Sequence, residues 1–168
     1  MSSSISSINY CPVKSLSFQS INSCSVKKKL GMPNDRIFAF SRGLNLEKTK
    51  IIEENPKERK LNNFLTLKNS PVLNKYNFIY KENKLILTHQ EKEIITISPD
   101  FPKERSLLTG KLLELESSLI KPISLLKNQR FPFYDTNHSN NVFNSMSLIN
   151  LNSIKDFEKK INQKIEFQ

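Results

Sequence analysis

Short apolar runs with a period of two dominate the first hundred residues. Ile5-Ser6-Ser7-Ile8-Asn9-Tyr10 alternates loosely, and Pro12, which has no N–H to donate, ends that strand or confines it to an edge. A second strand is predicted over residues 17–26. The turn formers of Leu30-Gly31-Met32-Pro33-Asn34-Asp35 then lead into Arg36-Ile37-Phe38-Ala39-Phe40, which reads as a short buried strand. Three strands in so short a stretch point to an antiparallel barrel or sandwich. Residues 41–60 turn polar and charged, carry Pro56 and sustain no helical face, so an exposed connection is expected there.

Strands are predicted to resume at Asn63-Phe64-Leu65-Thr66-Leu67. Tyr76-Asn77-Phe78-Ile79-Tyr80 faces Lys84-Leu85-Ile86-Leu87-Thr88 across Lys81-Glu82-Asn83, which is a hairpin pattern. Glu93-Ile94-Ile95-Thr96-Ile97 follows a Gln90-Glu91 turn and completes a three-stranded meander that Pro99 closes. The period then changes. Leu107, Leu108, Leu112, Leu115 and Leu119 recur at helical spacing between Pro102 and Pro122, predicting one amphipathic helix over about residues 102–119 that Gly110 weakens. Ile123-Ser124-Leu125-Leu126 reads as a strand, and the irregular aromatic- and Asn-rich stretch from Arg130 to Asn144 as a loop of functional length. Met146-Ser147-Leu148-Ile149-Asn150 reads as a strand feeding a helix with Ser153 as N-cap and Ile154, Phe157 and Ile161 on one face. Residues 164–168 look like the opening of a further strand, so the chain reads as cut. The fold class expected is α+β, mainly β.

Composition changes this picture little. The formal charge of +10 invites a nucleic-acid partner, because a basic surface attracts phosphate backbones whatever their sequence. Only Arg36, Arg42, Arg59, Arg105 and Arg130 are arginines, however, and Ala39 is the single alanine, while Lys, Asn and Ile abound. AT-rich codons produce that bias without any nucleic-acid partner. An RNA reading would have Tyr76, Phe78 and Tyr80 stack bases, but three aromatics on one strand face equally describe a core. Cys11 and Cys24 lie thirteen positions apart with no CxxC pair and no His at ligand spacing, which indicates neither a zinc site nor a disulfide framework. Both are read as buried, inert thiols in a reducing cytosol. The N-terminus lacks the basic start and apolar stretch of a secretory signal, and no window approaches the ~20 apolar residues of a membrane span, so a cytoplasmic protein without a membrane partner is expected.

Three glycines in the whole chain leave no phosphate-cradling glycine loop, and His89 and His138 have no second ligand at metal spacing. Pro12-Val13-Lys14-Ser15 does place a cation and a hydroxyl just after a strand. Alone, Lys14 reads as a solvated charge. About twenty residues later Asp35-Arg36 runs straight into an apolar strand, and the order of YCPVKSLSF and GMPNDRIFAF resembles the N-terminal β-barrel domain of MOSC proteins. NNFLTLKNSPVL resembles that family's F-L-(T/M)-x-(R/K)-x-x-P-x-L segment, and MSLINLNSIKDFEKKINQKI resembles the V-S-L-I-N-x-A-S-V-x-x-L-E start of its core.

The resemblance implies a barrel-like N-terminal domain over residues 1–100, a helix and connecting segment over 101–145, and the incomplete start of a MOSC core over 146–168. It implies a molybdenum cofactor (molybdopterin) whose phosphate is bound by Lys14, Ser15 and Arg36. Ser139 adds to the pterin pocket, although Asn140 and Asn141 stand where relatives carry a carboxylate further on. The family's F-R-x-N strand and metal-binding cysteine would lie past Gln168, so the chain is expected to be a catalytically incomplete fragment with no catalytic or metal-ligating residue of its own. The full-length protein would be an oxidoreductase or a sulfur carrier, with a redox partner protein. Nothing in the sequence indicates pyridoxal phosphate. The competing expectation is a non-enzymatic basic β-rich module that binds an anionic ligand or RNA without turnover.

Overall fold

The structure, a computed structural model, describes residues 4–26, 31–134 and 149–164. It is α+β with mostly antiparallel strands and three α-helices, and the strands form three small sheets. Among the described residues no sheet closes into a barrel. The first sheet pairs β1 (Ile8–Tyr10) with β2 (Gln19–Ile21), and the second pairs β3 (Phe38–Arg42) with β7 (Ile123–Lys127). The third is the expected meander of β4 (Tyr76–Lys81), β5 (Lys84–His89) and β6 (Lys92–Ile97). Its two loops have the same design: Glu82 and Asn83 at φ 51° and 59°, then Gln90 and Glu91 at φ 49° and 63°. Two successive left-handed residues are what a two-residue hairpin needs to match the twist of its strands.

Strand β3 is buried on both faces, which is why its sequence reads as a continuous apolar run. Phe38 and Phe40 enter the main core, meeting Tyr80 and Phe78 edge-on with ring centroids 5.1 and 5.5 Å apart. Ala39 faces the other way, into a smaller cluster with Ile52, Phe64, Leu126 and Phe133. Tyr76, Phe78 and Tyr80 are all buried, as their shared face predicts, so this strand offers no exposed aromatic platform for bases. Helix α2 (Pro102–Leu115) lays Leu108 and Leu112 on the main core and packs on β6 and β7, so that core is continuous across residue 100.

Several sequence expectations are corrected. Within residues 41–60 lies a nine-residue helix, α1 (Leu46–Glu54), in place of an exposed connection. Asn45 caps it by accepting the Lys48 N–H at 2.9 Å, and Thr49 and Ile52 are its only buried positions, too few to print a helical face on the sequence. Residues 63–67 are not a strand: a 3-10 turn over Leu61–Asn63 precedes a single bridge from Phe64 to Ser41. The strand predicted over 17–26 shrinks to β2. Helix α2 stops at Leu115, and of its predicted leucine stripe Leu107 and Leu115 are exposed. Helix α3 (Leu151–Ile161) starts two residues before the predicted cap, with Asn150 accepting the Asn152 and Ser153 N–H groups. Ile149 and Asn150 are not strand, and the rest of that predicted strand, with residues 165–168, lies outside the described residues. Among the described residues no helix is long and apolar enough to cross a membrane.

Sheets one and three are joined by side chains that stand in for a missing ladder. The Phe78 N–H donates to Ser17 Oγ at 2.7 Å and the Tyr80 N–H to Gln19 Oε1 at 3.0 Å, while Gln19 Nε2 donates to the Tyr80 carbonyl at 3.3 Å. Tyr10 Oη also donates to Gln19 Oε1, at 2.8 Å. Replacing Gln19 with Leu strips the Tyr80 N–H of its partner, and a stability loss of about 1–3 kcal/mol is expected in urea unfolding. An unchanged unfolding midpoint would show that this join is incidental.

Glu116, just past α2, sits where the helix dipole disfavours negative charge. The Lys75 ammonium at 2.5 Å, then the Tyr76 hydroxyl at 2.6 Å, hold its carboxyl below the usual carboxylate range. Since the folded value lies below the ordinary 4.5, the unfolded chain takes up the proton first as pH falls. The stabilisation is therefore full above that value and lost as pH drops through the depressed one. Glu116→Gln should be less stable than wild type near neutrality yet lose stability less steeply in acid, which unfolding curves across a pH series will read.

Candidate anion-binding site

Two turns, Cys11–Leu16 and Gly31–Arg36, are locked together. The Leu16 N–H closes the first on the Val13 carbonyl (3.2 Å), and the Asp35 N–H closes the second on the Met32 carbonyl (3.3 Å). Between them, the Arg36 N–H donates to the Cys11 carbonyl at 2.6 Å, and the Cys11 N–H donates to Asp35 Oδ1 at 2.9 Å. Val13 then bridges Phe38 in parallel, with the Phe38 N–H on the Pro12 carbonyl and the Lys14 N–H on the Phe38 carbonyl. Ser15 and Arg36 are held at φ 56° and 54°, a left-handed region that L side chains adopt at a cost of about 1–2 kcal/mol each. Bonds on both sides of each turn over-determine that conformation.

The interlock brings the backbones of Lys14 and Arg36 to the start of β3. Lys14 is 2% exposed, which overturns its reading as a solvated charge, and its ammonium lies 5.7 Å from the centre of the Phe64 ring. The Arg36 side chain keeps a third of its surface. Its Nη1 donates to Asp35 Oδ2 at 2.5 Å, and its guanidinium lies 5.5 Å from the centre of the Tyr134 ring. Both cations act electrostatically on the Cys11 thiol, and Phe64 and Phe133 pack edge-on at 5.7 Å beside Tyr134. Asp35 uses one oxygen to hold each turn. A guanidinium anchored at one nitrogen beside an aromatic ring is restricted in orientation, which suits two-point bonding to an oxyanion.

Cys11 is buried as expected, and its thiol donates to the Val13 carbonyl at 2.8 Å. Burial pushes it up to about 11, against the smaller opposing pulls of its Leu16 contact, Arg36 and Lys14. Burial also pushes the Tyr134 hydroxyl up to about 12, with the Asp35 charge adding to it. Cys24 departs from its reading as a buried strand residue. It lies beyond the end of β2, half-buried, in a shallow cleft with Tyr10, Ile21, Ser23, Pro33 and Asn34.

The two turns that carry Lys14, Ser15 and Arg36 are thus bonded to each other, while Ser139 and His138 lie outside the described residues. Sequence reasoning gave Asp35 no role and missed the aromatic wall of Phe64, Phe133 and Tyr134. The aromatic richness after Arg130 was the available signal for the last two. Among the described residues no group of three or more His, Cys, Asp or Glu could hold a metal ion. Comparison with family models, curated proteins and solved structures finds no match to this chain.

The two thiols should separate chemically. In the native protein at neutral pH, a disulfide reagent such as DTNB is expected to modify Cys24, and Cys11 only after unfolding, because a buried thiol titrating near 11 presents almost no accessible thiolate. Peptide mapping by mass spectrometry reads the order. Modification of Cys11 at the rate of Cys24 would mean that the two turns open readily.

Proposed function

We propose that the chain binds a phosphorylated pterin, the molybdenum cofactor, as a protein of MOSC type. The observation that carries this reading is the interlock itself: the two sequence elements that suggested the family, each carrying a cation, are bonded turn to turn through Asp35. In this reading Lys14 supplies a point charge, Arg36 a two-pronged donor and Ser15 a hydroxyl to one phosphate group. The donor chemistry fits a phosphomonoester. One buried cation and one partly exposed cation on two bonded turns favour an anionic ligand over a neutral one, and the half-dry surroundings strengthen each contact.

The three small sheets are then parts of a barrel-like N-terminal domain. Bound molybdenum cofactor supplies oxygen-atom, sulfur or electron transfer at its metal. This chain's own part is to grip the phosphate and so orient the pterin. In this reading the protein serves as a cytoplasmic oxidoreductase or sulfur carrier with a redox partner protein.

The test is retention of cofactor. The purified chain is mixed with molybdenum cofactor released from a donor enzyme and desalted, and bound pterin is read by fluorescence after oxidation. Wild type should retain pterin, and Arg36→Gln should retain about tenfold less, the effect of losing a charge-assisted pair. Equal retention by both would sink the reading. Binding of inorganic phosphate without any pterin retention would favour the simpler anion-binding module.

A further inference from the structure

Arg59 lies in the run Lys57-Glu58-Arg59-Lys60, whose charge density reads as a solvated loop. Instead its side chain is drawn inside, and the residue is 6% exposed. Four of its five N–H donors meet main-chain carbonyls. Nε donates to Ile52 at 2.8 Å and Nη2 to Glu53 at 2.9 Å, both at the end of α1. Nη1 donates to Phe131 at 2.7 Å and to Pro132 at 3.0 Å. The guanidinium carbon also lies 4.1 Å from the centre of the Phe133 ring.

The stretch that Arg59 grips is the one that reaches the candidate site. The Phe133 N–H donates to the Arg36 carbonyl at 2.7 Å, and the next residue, Tyr134, holds the ring that faces the Arg36 guanidinium. We propose that Arg59 is a positioning residue for the anion cradle: by clamping the carbonyls of residues 131 and 132 it sets Phe133 and Tyr134, and through them the backbone and guanidinium of Arg36. The inference rests on the anion-binding reading of that site. Arg59 itself touches no ligand. A lysine at this position could satisfy only part of the set, because a single ammonium cannot reach four carbonyls in a planar fork and stack on a ring at once.

The test is a double-mutant cycle on the intact chain, with inorganic phosphate as the probe in equilibrium dialysis. Arg59→Met should weaken phosphate binding about tenfold when Arg36 is present and less than about twofold in an Arg36→Gln background, since partners acting through one another are not additive. Arg59→Lys should fall between wild type and Arg59→Met, and serves where the methionine variant fails to fold. A purely structural role would give equal losses in both backgrounds, and that result overturns the proposal. A ligand-free readout runs alongside. The Tyr134 titration, identified by subtracting the spectrum of Tyr134→Phe, should drop in the Arg59 variants from about 12 toward the ordinary 10.0 as the segment loosens. If wild type binds no phosphate, the cradle reading fails, and this titration alone decides the relay: a drop sustains it and an unmoved value overturns it.

Discussion

Two positive charges, Lys14 and Arg59, are carried almost wholly out of water, and the local structure around each is organised to make that tolerable. An unpaired buried charge costs several kcal/mol even after relaxation, so each must find dipoles or rings in place of its hydration shell. Arg59 finds carbonyls from two distant segments, which obliges the end of α1 and residues 131–133 to meet. Glu53 reinforces the same junction. Its carboxylate accepts from Arg105 of α2 and from the Lys127 N–H of β7, and its carbonyl accepts from Asn128 as well as from Arg59. One turn of helix thus fastens α2, β7 and the approach to Tyr134.

The second constraint is the placement of β3. With β7 on one side and the turn residues Val13 and Phe64 bridging its ends, β3 has no free face, so whatever leads into it is fixed by the core. Arg36 leads into it. The left-handed backbone there would relax elsewhere in a chain, but here the bonds to the Cys11 and Phe133 segments hold it from both sides. The site therefore borrows its rigidity from the most deeply buried strand, which is the condition under which a charged pair can be pre-organised.

The parts legible in the sequence were those where local chemistry and burial agree. The meander printed both its period of two and its turns, and β3 printed an apolar run because both its faces are covered. Helix α1 was not legible, because only Thr49 and Ile52 face inward. Residues 63–67 looked like a strand because Phe64 and Leu65 are buried, yet Leu65 earns one backbone bond, to the Phe40 carbonyl, and no ladder. At the site, the order of the two motifs marked Lys14 and Arg36, while nothing local distinguished Lys14 from a surface lysine. Arg59 was invisible for the same reason: the carbonyls that make its burial possible lie up to 73 positions away.

The electrostatics of the candidate site follow from Asp35. Asp35 sets a negative charge against the Arg36 guanidinium at 2.5 Å, so the turn that carries Arg36 folds without an uncompensated charge there. Both Asp35 oxygens are engaged in holding the turns, one by the Cys11 N–H and one by Arg36. An arriving oxyanion therefore has no need to displace the carboxylate, and Arg36 can meet it with the nitrogens that Asp35 leaves. Asp35 also repels the ligand. In the proposed reading the oxyanion sits nearer to the outer edge of Arg36 than to Asp35, and the orientation of the guanidinium plane decides whether it can. The centre of the Tyr134 ring lies 5.5 Å from the guanidinium carbon, so the aromatic wall limits the room in which that plane can turn.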